Sequence, residues 1–186
     1  DRVAKHVADR VAERCADRAA FAFGFESGVV PPGWSTGVTG AVWQAGMTTP
    51  SSGTGPSSAH GGSWFMYIET SWGDSMFDLT YDGVACPGQA TAVSFWYSMI
   101  GSGMGTLRLK DTDGVERWSL SGQQGPEWQQ ATVPLPTAGF TFEGLRGHNS
   151  RGDIAIDDVS VCNPVTDPKQ LAQRVAEHIT DRVAKL

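Results

Sequence analysis

Residues 142–162 read FEGLRGHNSRGDIAIDDVSVC, and the second half of that stretch decides the fold. From Ile154 to Val161, β-branched residues alternate with small or acidic ones, which is the two-residue period of a strand with one buried face. The Gly, His, Asn and Ser before it have turn composition. Working outward, the same grammar recurs in SWFMYIET (63–70), ATAVSFWYSM (90–99), GTLRLKD (105–111) and EWQQATVPL (127–135). Short alternating runs at this spacing, with no helical pattern between them, predict an antiparallel sandwich over residues 21–165. Within it, MTTPSSGTGPSSAHGG (47–62) reads as a long polar loop, expected to be ordered because strand signals hem it in on both sides.

The two ends use a different grammar. Residues 1–20 hold neither Gly nor Pro, and Val3, Val7, Val11, Cys15 and Ala19 recur every four residues, an amphipathic helical stripe. Residues 166–186 return to it: Asp167 before Pro168 is a strong helix start, followed by Leu171, Val175, Ile179 and Val183. Asp1–Glu13 and Gln173–Lys185 agree at eight of thirteen positions. The simplest account is one frame of a tandem array, in which residue 173 starts the next copy and sandwiches sit on helical spacers of roughly 40 Å. The competing account is a pair of similar helices packing on each other across one domain.

Composition limits the functional classes. The 186 residues are 40% hydrophobic and 18% charged with 23 Gly and 10 Pro, as in a turn-rich globular domain. A net charge of −6 argues against nucleic acid and anionic membranes as partners. No apolar run approaches the roughly 20 residues that cross a bilayer, so no membrane insertion is expected. There is no GxSxG elbow, phosphate loop or Cys/His metal spacing, so catalysis has no support in the sequence.

Five blocks resemble, in order and spacing, a MAM domain, the module of meprins, neuropilins and receptor tyrosine phosphatases. They are FGFESGVVPPGW, TTPSSGTGPSSAHGGSWFMYIETS, CPGQATAVSFWYSMIGSGMGTLRL, LSGQQGPEWQQATVPL and FEGLRGHNSRGDIAIDDVSVC. The resemblance spans Phe23 to Cys162 and excludes the end helices. It implies a mainly β, jelly-roll antiparallel β-sandwich that works outside the cell in adhesion and assembly, without catalysis. It also implies a Cys86–Cys162 disulfide, closing a loop whose constraint contributes on the order of 4 kcal/mol, and hence an oxidising location. Many MAM domains carry a further cysteine pair near their start that is missing here. That leaves Cys15, on the first helix stripe, as either a small buried hydrophobe or an interchain contact.

The resemblance further implies that a Glu after the first strand meets an Asp in the last. The matching residues are Glu26 and the pair Asp157 and Asp158, with Glu69 joining them, a set that suits a structural Ca2+. The alternative is that these acids hydrogen-bond loop amides. Arg151, Gly152 and Asp153 spell the integrin triplet in a Gly/Asn/Ser loop, although Gly-Asp belongs to the family-like block. Among the tryptophans, Trp64, Trp96, Trp118 and Trp128 fall inside strand runs and are expected in the core, whereas Trp34, Trp43 and Trp72 lie nearer loops and are candidates for a binding face. The expectation is an extracellular structural or adhesion module that associates with neighbouring copies. A lectin-like module holding glycans through loop aromatics is the alternative.

Overall fold

A computed structural model of the chain describes residues 20–37, 42–71, 76–84 and 92–162. The expected helices at 1–20 and 166–186, with Cys15, lie outside the described residues, except that Ala20 opens a strand. Cys86 and Trp72 also lie outside them.

Eleven strands are present: β1 (Ala20–Phe23), β2 (Trp34–Thr36), β3 (Gln44–Gly46), β4 (Phe65–Tyr67), β5 (Met76–Tyr81), β6 (Ala92–Met99), β7 (Thr106–Asp111), β8 (Glu116–Ser121), β9 (Gln129–Pro134), β10 (Phe140–Leu145) and β11 (Ile154–Cys162). They form two antiparallel sheets. One runs β3-β4-β11-β6-β9 with β1 also on β11, and the other runs β2-β5-β10-β7-β8. The organising strand is β11. One edge of β11 is shared by β1, through Val159–Cys162, and β4, through Ala155 and Ile156, while β6 takes the other edge.

The core follows strand parity. Ile154, Ile156, Val159 and Val161 of β11 point inward with Val93, Phe95, Tyr97 and Met99 of β6, against Phe77, Leu79, Tyr81, Leu107, Leu109, Phe140 and Phe142 of the facing sheet. The parity of β11 survives the adjacent aspartates because of a bulge: its register with β6 shifts between Asp157 and Ser160, and Asp158 takes φ 45°. The extra residue lets Asp157 and Asp158 both turn away from the core while Val159 turns back into it.

The tryptophans depart from the expectation in part. Trp34 and Trp43 are 7% and 1% exposed, and Trp34 packs against Phe23, Phe25, Tyr81 and Phe140. Trp43 donates its indole N–H to the Phe77 carbonyl at 3.0 Å. Both therefore serve the core and not a binding face. Trp64, Trp96, Trp118 and Trp128 are half-buried; of these Trp118 does pack on the core, against Phe95 and Tyr97, and Trp128 joins a smaller apolar cluster. For Trp96 the reason is alternation: Phe95 and Tyr97 occupy the inward positions of β6, which leaves Trp96 facing out.

Candidate functional site: two outer faces with different carboxylate chemistry

The outer face of the six-stranded sheet is covered. β4 buries all three of its residues, Phe65 and Tyr67 as well as the core-facing Met66, because the 47–62 loop lies over it. Phe65, Tyr67 and Ala155 form a second, smaller apolar cluster with Ala59 and Trp128. Trp128 donates its indole N–H to the Ser58 carbonyl at 3.0 Å. The loop is thus ordered, as its flanking strands implied, and acidic side chains of β11 and its approach fasten it.

At one end, Asp157 Oδ2 accepts the amides of His60 (2.9 Å) and Gly61 (3.2 Å), while Oδ1 accepts the amide of Asp158 (2.7 Å). Asp158 Oδ2 meets His60 Nδ1 at 2.6 Å, and the His60 ring stacks on Trp96 with centroids 3.7 Å apart. Glu26 receives the Ser63 amide on both oxygens (3.1 and 3.0 Å) and the Trp64 amide on Oε1 (3.1 Å). A Cβ at Gly62, which has φ +63°, would come within 2.3 Å of Glu26 Oε1, and one at Gly61 within 2.5 Å of Asp158 Oδ2. Glycine suits Gly62 first for its positive φ, and at both positions a methyl would also have to displace a carboxylate. Burial pushes the Asp157 carboxyl up to about 6; the amides of Gly61, Asp158 and His60 hold it down, and the neighbouring Asp158 charge adds to the rise.

Glu26, Asp157 and Asp158 therefore meet on one loop, as expected, but Glu69 does not join them. Its strand carries it to the opposite end of the face, where Oε1 accepts the Ser71 amide at 2.9 Å. Every oxygen of Glu26 and Asp157, and Oδ2 of Asp158, faces an N–H donor or the imidazole. At this corner the carboxylates act as acceptors for loop amides and the imidazole, which is the alternative role foreseen for them. Among the described residues, no group of three or more His, Cys, Asp or Glu is arranged to hold a metal.

At the other end, Asp153 is 0% exposed. Its Oδ1 accepts the Thr70 amide (2.9 Å) and hydroxyl (3.0 Å), and its own amide donates to Thr54 Oγ1 (2.8 Å). Burial pushes its carboxyl up to about 6, with the Thr70 amide pulling down and the Glu69 charge pushing further up. This corrects the integrin reading: Gly152 and Asp153 are buried and only Arg151 is exposed. An integrin would need the Asp153 carboxylate in solvent, and here that carboxylate is an internal hydrogen-bond acceptor.

The five-stranded sheet presents an open outer face. A groove of about 350 Å3 is lined by Asp78, Thr80, Lys110, Thr141 and Glu143 among others. Glu143, 5% exposed, pairs with Lys110 Nζ at 2.5 Å and Arg108 Nη1 at 3.2 Å. Asp78 has its carboxyl raised by burial and then by the Glu143 charge, with Lys110 opposing. Alternation in GTLRLKD and FTFEGL places Arg108, Lys110, Thr141 and Glu143 on this face. The sequence reading missed the groove because it searched for aromatics in loops, whereas the signal lay in charged residues at alternate strand positions.

Fold and site together define a two-sheet β-sandwich module with one outer face anchoring a loop and the other open and charged. A family model, MAM domain, meprin/A5/mu, matches residues 24–165. The chain belongs to the MAM domain family. It is 40% identical over 110 residues to MAM domain-containing glycosylphosphatidylinositol anchor protein 1 of Rattus norvegicus, covering 53% of this chain and 12% of that protein. To Neuropilin-1a of Danio rerio it is 30% identical over 149 residues, covering 72% of this chain and 16% of that protein. The chain thus spans a small part of these relatives. Among solved structures, the K2 cleaved adhesin domain of Lys-gingipain superposes with a TM-score of 0.57 at 19% identity, covering 78% of this chain and all of that one. TmCBM61, solved with β-1,4-galactotriose, gives 0.50 at 20% identity, covering 76% and 94%. These likenesses are likenesses of fold.

Proposed function

We propose that the chain is one unit of a non-enzymatic extracellular adhesion or structural protein, built of tandem copies that associate through their helical segments and sandwiches. The observation that carries this reading is the near-repetition of Asp1–Glu13 at Gln173–Lys185, on either side of a single MAM sandwich. The surface setting is supported by the relatives, one family of which is named for a glycosylphosphatidylinositol anchor. The Cys86–Cys162 bridge belongs to the same reading: Cys162 ends β11 opposite Ala92, the first residue of β6, and the chain entering β6 carries Cys86. Cys15 is the interchain candidate.

Sedimentation of the purified full chain tests the assembly. Concentration-dependent association, abolished by replacing Val175 and Ile179 with Asp, is expected; a monomer at every concentration would overturn it. Non-reducing mass spectrometry is expected to show Cys86 joined to Cys162.

A second reading, glycan binding, is favoured by the groove on the five-stranded sheet, where hydroxyls and paired charges present the donors and acceptors a polyol needs. Binding of neutral oligosaccharides that is lost in Lys110→Ala would support it.

A further inference from the structure

Three acids line the groove on the five-stranded sheet, and two of them are matched. Asp111 accepts the amides of Asp113 (2.9 Å) and Val115 (3.0 Å) on Oδ1 and the Arg117 guanidinium on Oδ2. Glu143 meets Arg108 Nη1 on Oε1 and Lys110 Nζ on Oε2. Asp78 is the third. Among the described residues no ion pair includes it, and no hydrogen-bond donor reaches its carboxylate.

The strand register accounts for the gap. Asp78 on β5 stands opposite Glu143 on β10, and Glu143 stands opposite Arg108 on β7. Lys110 also lies on β7, across from Thr141. Both cations therefore approach Glu143 from its β7 side. Asp78 is left on the β5 side against a like charge, a cross-strand pairing that is unfavourable until something neutralises it. On the far side of Asp78 run Gly37, which has no side chain and donates its amide to the Asp78 carbonyl at 3.1 Å, and Val42, which is apolar. Burial and the Glu143 charge accordingly raise the Asp78 carboxyl, and Lys110 does not cancel them.

Beside this acid the groove offers hydroxyls. Thr80 and Thr141 are cross-strand partners with their Oγ1 atoms 2.9 Å apart. A hydroxyl pair spends only one of its two protons internally, so a donor and several lone pairs remain for a ligand. Phe140 also lines the groove, but its ring belongs to the core, so hydrogen bonds and charge must do the holding. The volume, about 350 Å3, lies at the small end of ligand sites.

We propose that this groove takes a sugar unit bearing a protonated primary amine, with the ammonium on Asp78 and the adjoining hydroxyls on Thr80 and Thr141. The assignment rests on the glycan reading of the groove and names the class of glycan, deacetylated amino sugars. An ammonium is a compact charge with three donors, able to neutralise Asp78 while Lys110 stays on Glu143. A neutral sugar can use the threonines but leaves Asp78 unmatched. An acidic one would add a further negative charge beside Asp78 and Glu143.

The test is calorimetric titration of the full chain, just below neutral pH where the amine carries its proton. The probes are two β-1,4-linked trimers that differ only at C2: the glucosamine trimer, with an ammonium there, and cellotriose, with a hydroxyl. The glucosamine trimer is expected to bind about tenfold more tightly in low salt, because charge-assisted hydrogen bonds exceed neutral ones by that margin. The preference is expected to shrink as salt is raised. Asp78→Asn keeps the shape and removes the charge. It is expected to bring the two trimers within about twofold of each other, with an unchanged circular dichroism spectrum. Thr141→Val is expected to weaken both trimers alike. Equal affinity of the trimers for the wild type would overturn the amino-sugar assignment and leave the glycan reading standing, whereas binding of neither would overturn both. A preference that survives in Asp78→Asn would also overturn it. So would a lysine tripeptide that binds as tightly as the glucosamine trimer, since the ammonium alone would then be the ligand.

Discussion

The two outer faces of this sandwich carry acids of the same chemistry in opposite settings. On the five-stranded sheet, Glu143 is buried but meets two cations, Lys110 and Arg108, whose stems and charges reach water. On the six-stranded sheet, Asp153 and Asp157 are buried under a loop and meet amides and hydroxyls instead. The difference teaches what each face does. Charges paired at an open surface can re-pair with solvent, so that face can change its polar partners without unfolding. Acids that satisfy backbone N–H groups cannot be exchanged without undoing the loop, so that face is architecture.

The largest effect should come from removing an architectural acid. Asp157→Ala leaves the amides of His60, Gly61 and Asp158 without their acceptor inside the protein, and should cost about 3 kcal/mol of unfolding free energy in urea titration. Glu143→Ala should cost only about 1 kcal/mol, since Arg108 and Lys110 keep partial access to water. Equal costs for the two variants would erase the distinction between the faces.

Next in size is Gly62→Ala. The residue adopts φ +63° and its new methyl would meet the Glu26 carboxylate, so the loop must shift or strain at about 1–2 kcal/mol. Glu26→Gln combined with Gly62→Ala should recover little of this, because most of the penalty lies in the backbone conformation. Thermal denaturation of the single and double variants measures it.

The faces should also differ in their response to pH. Asp153 and Asp157 have folded values of about 6, above the ordinary 3.8, so the folded state binds protons more readily than the unfolded one. Below about pH 4 both states are protonated and these groups contribute nothing. As pH rises from there through 6, the folded chain loses stability, and the loss is complete above that range. Melting temperature in chelator should therefore rise on acidification from pH 7.5 to 5, and Asp157→Asn should flatten part of that slope. An unchanged slope in Asp157→Asn would mean that the burial of this carboxyl is not what destabilises it.

How far the sequence alone could reach is clear from the same residues. The two-residue alternation in GDIAIDDVSV, GTLRLKD and ATAVSFWYSM was enough to give a sandwich with these strands, because a half-buried strand writes its inside face into the chain. Phase was harder. Trp96 lies in a strand run yet faces out, while Trp34 and Trp43 sit beside loops yet fill the core, since position within a run does not tell which face a residue takes. In SWFMYIET the pattern does not mark an exposed face, because the loop buries the outer side of β4 as well as the inner. Of the acidic set that the family resemblance implied, Glu26, Asp157 and Asp158 do gather on one loop, whereas Glu69 turns to the Ser71 amide.

The smallest effect is expected at Arg151, and it is informative for that reason. The triplet Arg151, Gly152 and Asp153 has one residue in solvent and two in the interior, so the motif is divided by the surface of the protein. Arg151→Ala should change stability by less than about 0.5 kcal/mol, as is usual for an exposed side chain outside any network. Attachment of integrin-bearing cells to immobilised chain should be the same for wild type and variant. Asp153→Asn, by contrast, acts on buried partners, so any loss of attachment it caused would track its loss of folding. A variant of Arg151 that abolished attachment while leaving the melting temperature unchanged would show that the covered face opens. The division between an open face and an architectural face would then no longer hold.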